Sequence, residues 1–134
     1  MIKKLLNKIW SVEGQEEIST PLDQEAEFVL MYQELPIGYL SLKDGLWKFE
    51  YSVQFKRQSE LLPLVDFPDK SKTYTNTNLW PSFSYRIPGL NQPQVQDMIK
   101  KANINEKNIV DLLKLFGKHS IYNPFLLDVM TPNH

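Results

Sequence analysis

The sequence predicts an α+β domain built as an antiparallel β-meander, followed by a C-terminal cluster of about three short helices and a closing strand. Three observations carry this prediction. Residues 27–52 alternate as strands do, Asp44-Gly45 marks a hairpin turn inside them, and from residue 79 onward apolar side chains recur at helical spacing. Size agrees with it. A chain of 134 residues suits a single hydrophobic core, and 42% hydrophobic with 12% aromatic residues is too apolar for a disordered chain.

The first predicted strand covers residues 27–32, where Phe28, Leu30 and Tyr32 alternate with Val29 and Met31, so both of its faces are expected to be largely covered. A turn over residues 33–36 leads to a second strand over 37–42. Lys43-Asp44-Gly45 is a strong hairpin signal, because Asp and Gly tolerate the positive φ angles that tight hairpins need. In the third strand Trp47, Phe49 and Tyr51 share one face while Lys48, Glu50 and Ser52 share the other, the pattern of a sheet with one wet side. Residues 61–67 are apolar, but Pro63 and Pro68 remove ladder donors, which places this run at a sheet edge or in an extended crossing segment. Residues 70–78 are polar and read mostly as loop, with a short strand conceivable over 72–74.

Helices follow. Residues 79–87 suit a short helix with Pro81 in its first turn, ended by Pro88-Gly89. Asn91 is the predicted cap of a second helix that opens near Pro93 and runs to about Asn103, with Val95, Met98 and Ile99 inward. Asn105 is the predicted cap of a third, in which Ile109, Leu112, Leu113 and Phe116 share a face and Gly117 occupies a left-handed C-cap. Residues 125–129 make the closing strand. The domain is therefore placed at 27–129, preceded by an amphipathic helix and polar linker over 1–26 and followed by a tail over 130–134.

The N-terminal twelve residues carry Lys3, Lys4 and Lys8 among Leu5, Leu6, Ile9 and Trp10. Lys8 interrupts the apolar stretch too early for a secretory core, and no small-residue cleavage site follows it. A helix packed on the domain, or a frayed end, is the commoner fate of such a segment; a membrane-surface helix is the alternative, and membrane association is not expected. Fifteen basic against sixteen acidic residues give a formal charge of -1, so no global field favours nucleic acid, and no direct nucleic-acid binding is expected. The absence of cysteine excludes disulfides, thiolate metal sites and cysteine nucleophiles, and fits a cytoplasmic location.

Catalytic motifs do not emerge. His119 and His134 form no pair at metal-ligand spacing, so no metal site is expected. Asp66 and Asp69 stand close together, but Asp-Phe-Pro-Asp at a strand end is ordinary turn chemistry and lacks an accompanying nucleophile. The five glycines are scattered singly and form no phosphate-cradling loop. Lys100, Lys101, Lys114 and Lys118 suit helix C-termini, where cations complement the dipole. The chain is read as a non-enzyme without a cofactor.

The stretch over residues 79–90 stands out instead, because it places Trp, Tyr and Arg, the types richest in binding hot spots, on a short proline-stiffened helix and turn. Trp80 and Phe83 are expected mainly as core anchors. Tyr85, Arg86 and the turn over 88–91, with Leu90 and Asn91, are the expected exposed contact surface. The candidate partner-binding residues are Trp80, Tyr85, Arg86, Leu90 and Asn91.

Taken together, Phe28-x-Leu30-x-Tyr32, Gly38-x-Leu40-Ser41-Leu42, Trp47-x-Phe49-x-Tyr51-Ser52-x-x-Phe55, the run from Pro63 to Pro68, Leu79-Trp80-Pro81 with Arg86-Ile87-Pro88, Leu112-Leu113 with Phe116-Gly117, and Asn123-Pro124-Phe125 resemble the N-terminal domain of HipA-type kinases. The resemblance covers residues 27–129. It implies a HipS-like antitoxin of a split toxin-antitoxin system, one that binds and inhibits a separate HipT/HipA-type serine/threonine kinase and meets a HipB-like DNA-binding protein through that kinase. It also implies an inhibitory surface near residues 86–91. There this sequence departs from the family's clearer sign, an inserted Trp, and has Leu90 after Pro88-Gly89. Leu90, Trp80 or neither would then enter the kinase's nucleotide site. The alternative roles are a structural subunit that completes or stabilises a truncated HipA-type kinase without inhibiting it, or a membrane-surface adaptor that uses residues 1–10.

Overall fold

The computed structural model describes residues 18–130. The amphipathic helix expected over residues 1–12, and the tail beyond residue 130, lie outside the described residues. The elements in chain order are β1 (Ala26–Tyr32), β2 (Leu35–Lys43), β3 (Leu46–Tyr51), α1 (Val53–Arg57), β4 (Thr73–Asn76), α2 (Pro81–Ser84), α3 (Pro93–Ala102), α4 (Ile109–Phe116) and β5 (Leu126–Val129). The strands form one antiparallel sheet in the order β4-β3-β2-β1-β5. The α+β prediction and its meander therefore stand.

Alternation decides which sheet face is buried. Phe28 and Leu30 of β1, Leu40 and Leu42 of β2, and Trp47, Phe49 and Tyr51 of β3 all lie on the core face. The opposite face carries a transverse row of Glu27, Ser41, Lys48 and Thr75, in register across β1 to β4. Among the described residues the double coverage expected of β1 is incomplete. Val29 and Met31 are half-buried, with Tyr39 and Asp128 as the strand partners beside Val29 and Pro36 and Leu126 beside Met31. At the β2–β3 turn Asp44 and Gly45 both take positive φ, of 53° and 76°, as the hairpin signal requires. Strand β2 begins two residues earlier than the sequence suggests, and a register shift between Leu30 and Met31 lets Pro36 enter it opposite Met31.

Gly38 lies under an aromatic ring. A Cβ at that position would stand 2.5 Å from Cζ of Phe49 and 2.7 Å from the carbonyl oxygen of Glu50, so glycine alone leaves room for the Phe49 ring.

One helix was not foreseen. Ser52 caps α1 by accepting from the Phe55 N–H at 2.9 Å while its hydroxyl donates to the Pro36 carbonyl, and Phe55 stacks on Tyr51 with centroids 4.6 Å apart. Five residues are too few for a periodic signal. Residues 61–67 then cross the sheet without joining it, as the prolines require. The Tyr51 hydroxyl donates to the Phe67 carbonyl at 2.6 Å and accepts from the Leu64 N–H at 2.8 Å, which fixes the crossing. The polar stretch after it supplies β4, longer than the short strand considered there, because its backbone completes the ladder of β3.

Helix boundaries needed tertiary information. The N-cap position of α3 is Gln92, with Pro93 in the first turn, so the exposed Asn91 stands one residue outside its expected place. Met98 is exposed rather than inward; Val95 and Ile99 hold the buried face. Asn108 caps α4 by accepting from Val110 and Asp111, while Asn105 forms a separate turn with the Lys107 N–H. The left-handed C-cap is Asn103, at φ 55°; Gly117 has φ -79° and is needed for another reason, since a Cβ there would run into the Leu113 carbonyl.

The described part of the expected linker is bound to the domain. Ile18 packs with Leu90, Val95, Ile99 and Leu112 in a second apolar cluster, Ser19 bridges to Asn108, and Thr20 accepts from the Trp47 indole at 3.1 Å.

Burial pushes the Tyr51 phenol up to about 12, an effect that the Leu64 N–H partly opposes. The folded chain thus keeps a proton that the unfolded chain loses at about pH 10. This contribution to stability is complete below pH 10 and lost as pH rises through the folded value. Tyr51→Phe is expected to cost about 1–3 kcal/mol at neutral pH, by leaving the Leu64 N–H and Phe67 carbonyl without their partner. The variant should also flatten the alkaline loss of stability, as urea denaturation between pH 7 and 12 would show.

Candidate partner-binding surface

Helix α2 is held at both ends by side chains from distant parts of the chain. At its start Asp66 accepts from the Ser82 N–H at 2.9 Å and from the Ser82 hydroxyl at 2.6 Å, so a carboxylate of the crossing segment caps the first turn. Asp69 accepts from the N–H and the hydroxyl of Ser71, and these bonds hold its carboxyl below the usual carboxylate range. Both aspartates thus serve turns and caps. Phe83 is buried against Phe49 and Phe67, while the half-buried Trp80 meets Phe67 edge-to-face at 4.9 Å. Trp80 and Phe83 therefore anchor α2 on the sheet.

At the other end of α2, Tyr85 is exposed and Arg86 is buried, with only 6% of its surface accessible. Nη1 of Arg86 donates to the carbonyls of Gly117 at 3.0 Å and Lys118 at 3.3 Å, and Nη2 donates to Oδ1 of Asn123 at 3.2 Å. The guanidinium ties the loop after α4 to the end of α2. Burial lowers its pKa to about 10, so it remains charged at neutral pH. Asn123 Oδ1 also accepts from the Phe125 N–H, which links the same loop to the start of β5.

The expected surface is thereby corrected at two positions. Arg86 lies beneath the surface because its fork satisfies carbonyls of the loop, and Leu90 is 1% exposed because it fills the second apolar cluster with Val95, Ile99 and Leu112. The Gln96 side chain donates to the Leu90 carbonyl and holds the turn down. Tyr85 and Asn91 are exposed as expected.

Two exposed residues that sequence reasoning passed over join Tyr85. Tyr122 faces it with ring centroids 6.0 Å apart, and Ile121 is 91% exposed. The signal was a pair of apolar residues in a polar stretch, Lys118-His119-Ser120-Ile121-Tyr122-Asn123, with no strand or helix partner to absorb them. On the crossing segment Val65 is exposed beside Asp66. A separate concavity of about 660 Å³ on the open sheet face mixes acidic Glu27 and Asp44 with basic Lys43, Lys48 and Lys114. Among the described residues no group of three His, Cys, Asp or Glu could hold a metal ion, and no helix is long and apolar enough to cross a membrane.

The family model of the HipA N-terminal domain matches residues 29–121. The chain belongs to the HipA N-terminal domain family. A search of curated proteins finds no match. The HipA N-terminal domain match opens in β1 and ends at Ile121, so it takes in β2 to β4, the four helices and the Gly117 and Lys118 carbonyls held by Arg86, and leaves β5 outside. That domain is the non-catalytic N-terminal part of HipA proteins and associates this chain with toxin-antitoxin systems.

Arg86→Ala is expected to lower the unfolding free energy by about 2–3 kcal/mol, through loss of charge-assisted bonds to buried carbonyls. Tyr85→Ser should stay within about 0.5 kcal/mol of the parent. Urea denaturation of the two variants side by side distinguishes the buried clasp from the exposed ring.

Proposed function

We propose that this chain is a non-catalytic, cytoplasmic, antitoxin-like protein that binds and restrains a separate HipA-type serine/threonine kinase, and meets a DNA-binding partner through that kinase. Membership of the HipA N-terminal domain family carries the reading. It is supported by the exposed Tyr85, Ile121 and Tyr122, which are large apolar side chains held on braced backbone. Pre-organised aromatic side chains lose little entropy on binding and are frequent anchors of interfaces. A standard interface covers about 800 Å² per partner, an area that this surface and the adjoining Val65 and Trp80 region can supply.

The burial of Leu90 favours a second reading. Without a projecting residue after Pro88-Gly89, the family's inhibitory position is occupied by a core side chain, and the chain would complete or stabilise a truncated kinase without blocking it. Activity separates the two roles. A purified HipA-type kinase lacking its own N-terminal domain should lose its phosphorylation activity as this chain is added to saturation. Binding with unchanged specific activity but improved kinase solubility would select the structural role, and no binding at all would refute both. In either role Tyr85→Ser combined with Tyr122→Ser is expected to weaken the complex about tenfold or more, measured by calorimetry, while leaving the fold intact.

A further inference from the structure

The Arg86 guanidinium is a buried charge with an incomplete set of partners. Its Nη1 serves two backbone carbonyls, and its Nη2 meets the neutral amide oxygen of Asn123 at 3.2 Å. Its Nε–H, buried with the rest of the side chain, has no acceptor among the described residues. Nε and Nη2 form one edge of the guanidinium, the side-on fork that a carboxylate fills with two parallel hydrogen bonds. Here that edge is half used, by an uncharged group. Buried charges are ordinarily paired, because desolvation without a counter-ion is costly.

No acidic side chain pairs with Arg86 among the described residues: Asp66 is engaged by Ser82 at the other end of α2, and Asp128 by Lys118. Residues 77–96 and 112–127, which build α2, its following turn and the loop over Arg86, contain Arg86, Lys114, Lys118 and His119 and no Asp or Glu. The whole chain is nearly balanced, with 15 basic and 16 acidic residues, so the acids lie elsewhere. The Asp128 carboxylate reaches Lys118 at 3.9 Å between exposed side chains, where such a pair contributes little. Tyr85 precedes Arg86 and Tyr122 precedes its partner Asn123; the two exposed rings face each other at 6.0 Å, with Ile121 exposed next in the chain.

We propose that the surface formed by Tyr85, Ile121 and Tyr122, next in the chain to the Arg86–Asn123 contact, docks a segment of the partner protein that carries a carboxylate beside apolar residues. The carboxylate takes the Nε–Nη2 edge in place of the Asn123 amide, and the flanking apolar residue packs on the tyrosine rings. Charge complementarity selects this occupant over a purely apolar one, since an apolar segment would leave the guanidinium edge as it is. The proposal rests on the reading of this chain as a partner-binding protein and names the chemistry of the partner's contact.

The test uses the full chain, labelled with ¹⁵N, and two synthetic peptides that are identical except that one has Asp where the other has Asn, each flanked by Leu and Phe. The Asp peptide is expected to shift the Arg86 Nε–H resonance and the ring signals of Tyr85 and Tyr122, and to bind about tenfold more tightly than the Asn peptide. Asn123→Asp supplies the carboxylate from within the chain; it should raise stability and abolish the preference for the Asp peptide. Equal binding of the two peptides, shifts centred on Lys48 and Ser41 of the open sheet face, no binding of either peptide, or an undiminished preference in Asn123→Asp would each overturn the proposal. The outcome is independent of kinase inhibition, so a kinase left active by this chain counts against the antitoxin reading and not against the carboxylate site.

Discussion

The stacking of Phe67 on Phe49, with ring centroids 4.2 Å apart, is the interaction on which the rest of the domain depends. Phe49 belongs to the apolar stripe of β3, and Phe67 arrives from a proline-bounded segment that cannot enter the sheet. Around Phe67 converge Tyr74 of β4, Trp80 at the start of α2 and Phe83 within it. One ring thus joins the sheet, the crossing segment and the first of the C-terminal helices. The Tyr51 hydroxyl fixes that ring's backbone, and Gly38 leaves the space in which Phe49 lies beneath it.

The candidate surface is a consequence of this arrangement. With Phe67 seated, Asp66 is placed to cap α2 and Phe83 holds the helix to the core. The four-residue helix has few internal hydrogen bonds and takes its rigidity from these tertiary anchors. Arg86 then extends the same rigidity to the loop after α4, so that Tyr85 and Tyr122 are presented together although 37 residues separate them in the chain. A charge buried beneath the surface organises what is exposed above it.

The two apolar clusters divide the labour. The larger one joins the sheet to α1, α2 and α4, whereas Leu90, Val95, Ile99 and Leu112 join α3 to α4 beside Ile18. Leu90 therefore secures the turn after α2, and any contact that this turn makes must come through its exposed neighbours, such as Asn91.

The sequence by itself determined the meander, the helical character of the C-terminal third and the family, because alternation, the Asp-Gly turn and helical spacing are local signals that burial reinforces. Tyr85 was legible as an exposed candidate for the same reason: it falls off the apolar face that Trp80 and Phe83 define. Only the tertiary structure decided the fate of Arg86 and Leu90. Arg86 is buried by carbonyls more than 30 residues away, and Leu90 by helices that follow it, partners which no local pattern encodes. The same holds for the caps. Asn91, Asn103, Asn105 and Asn108 are the same residue type near helix ends, and the packing of α3 and α4 selects Asn103 for the left-handed turn and Asn108 for the cap.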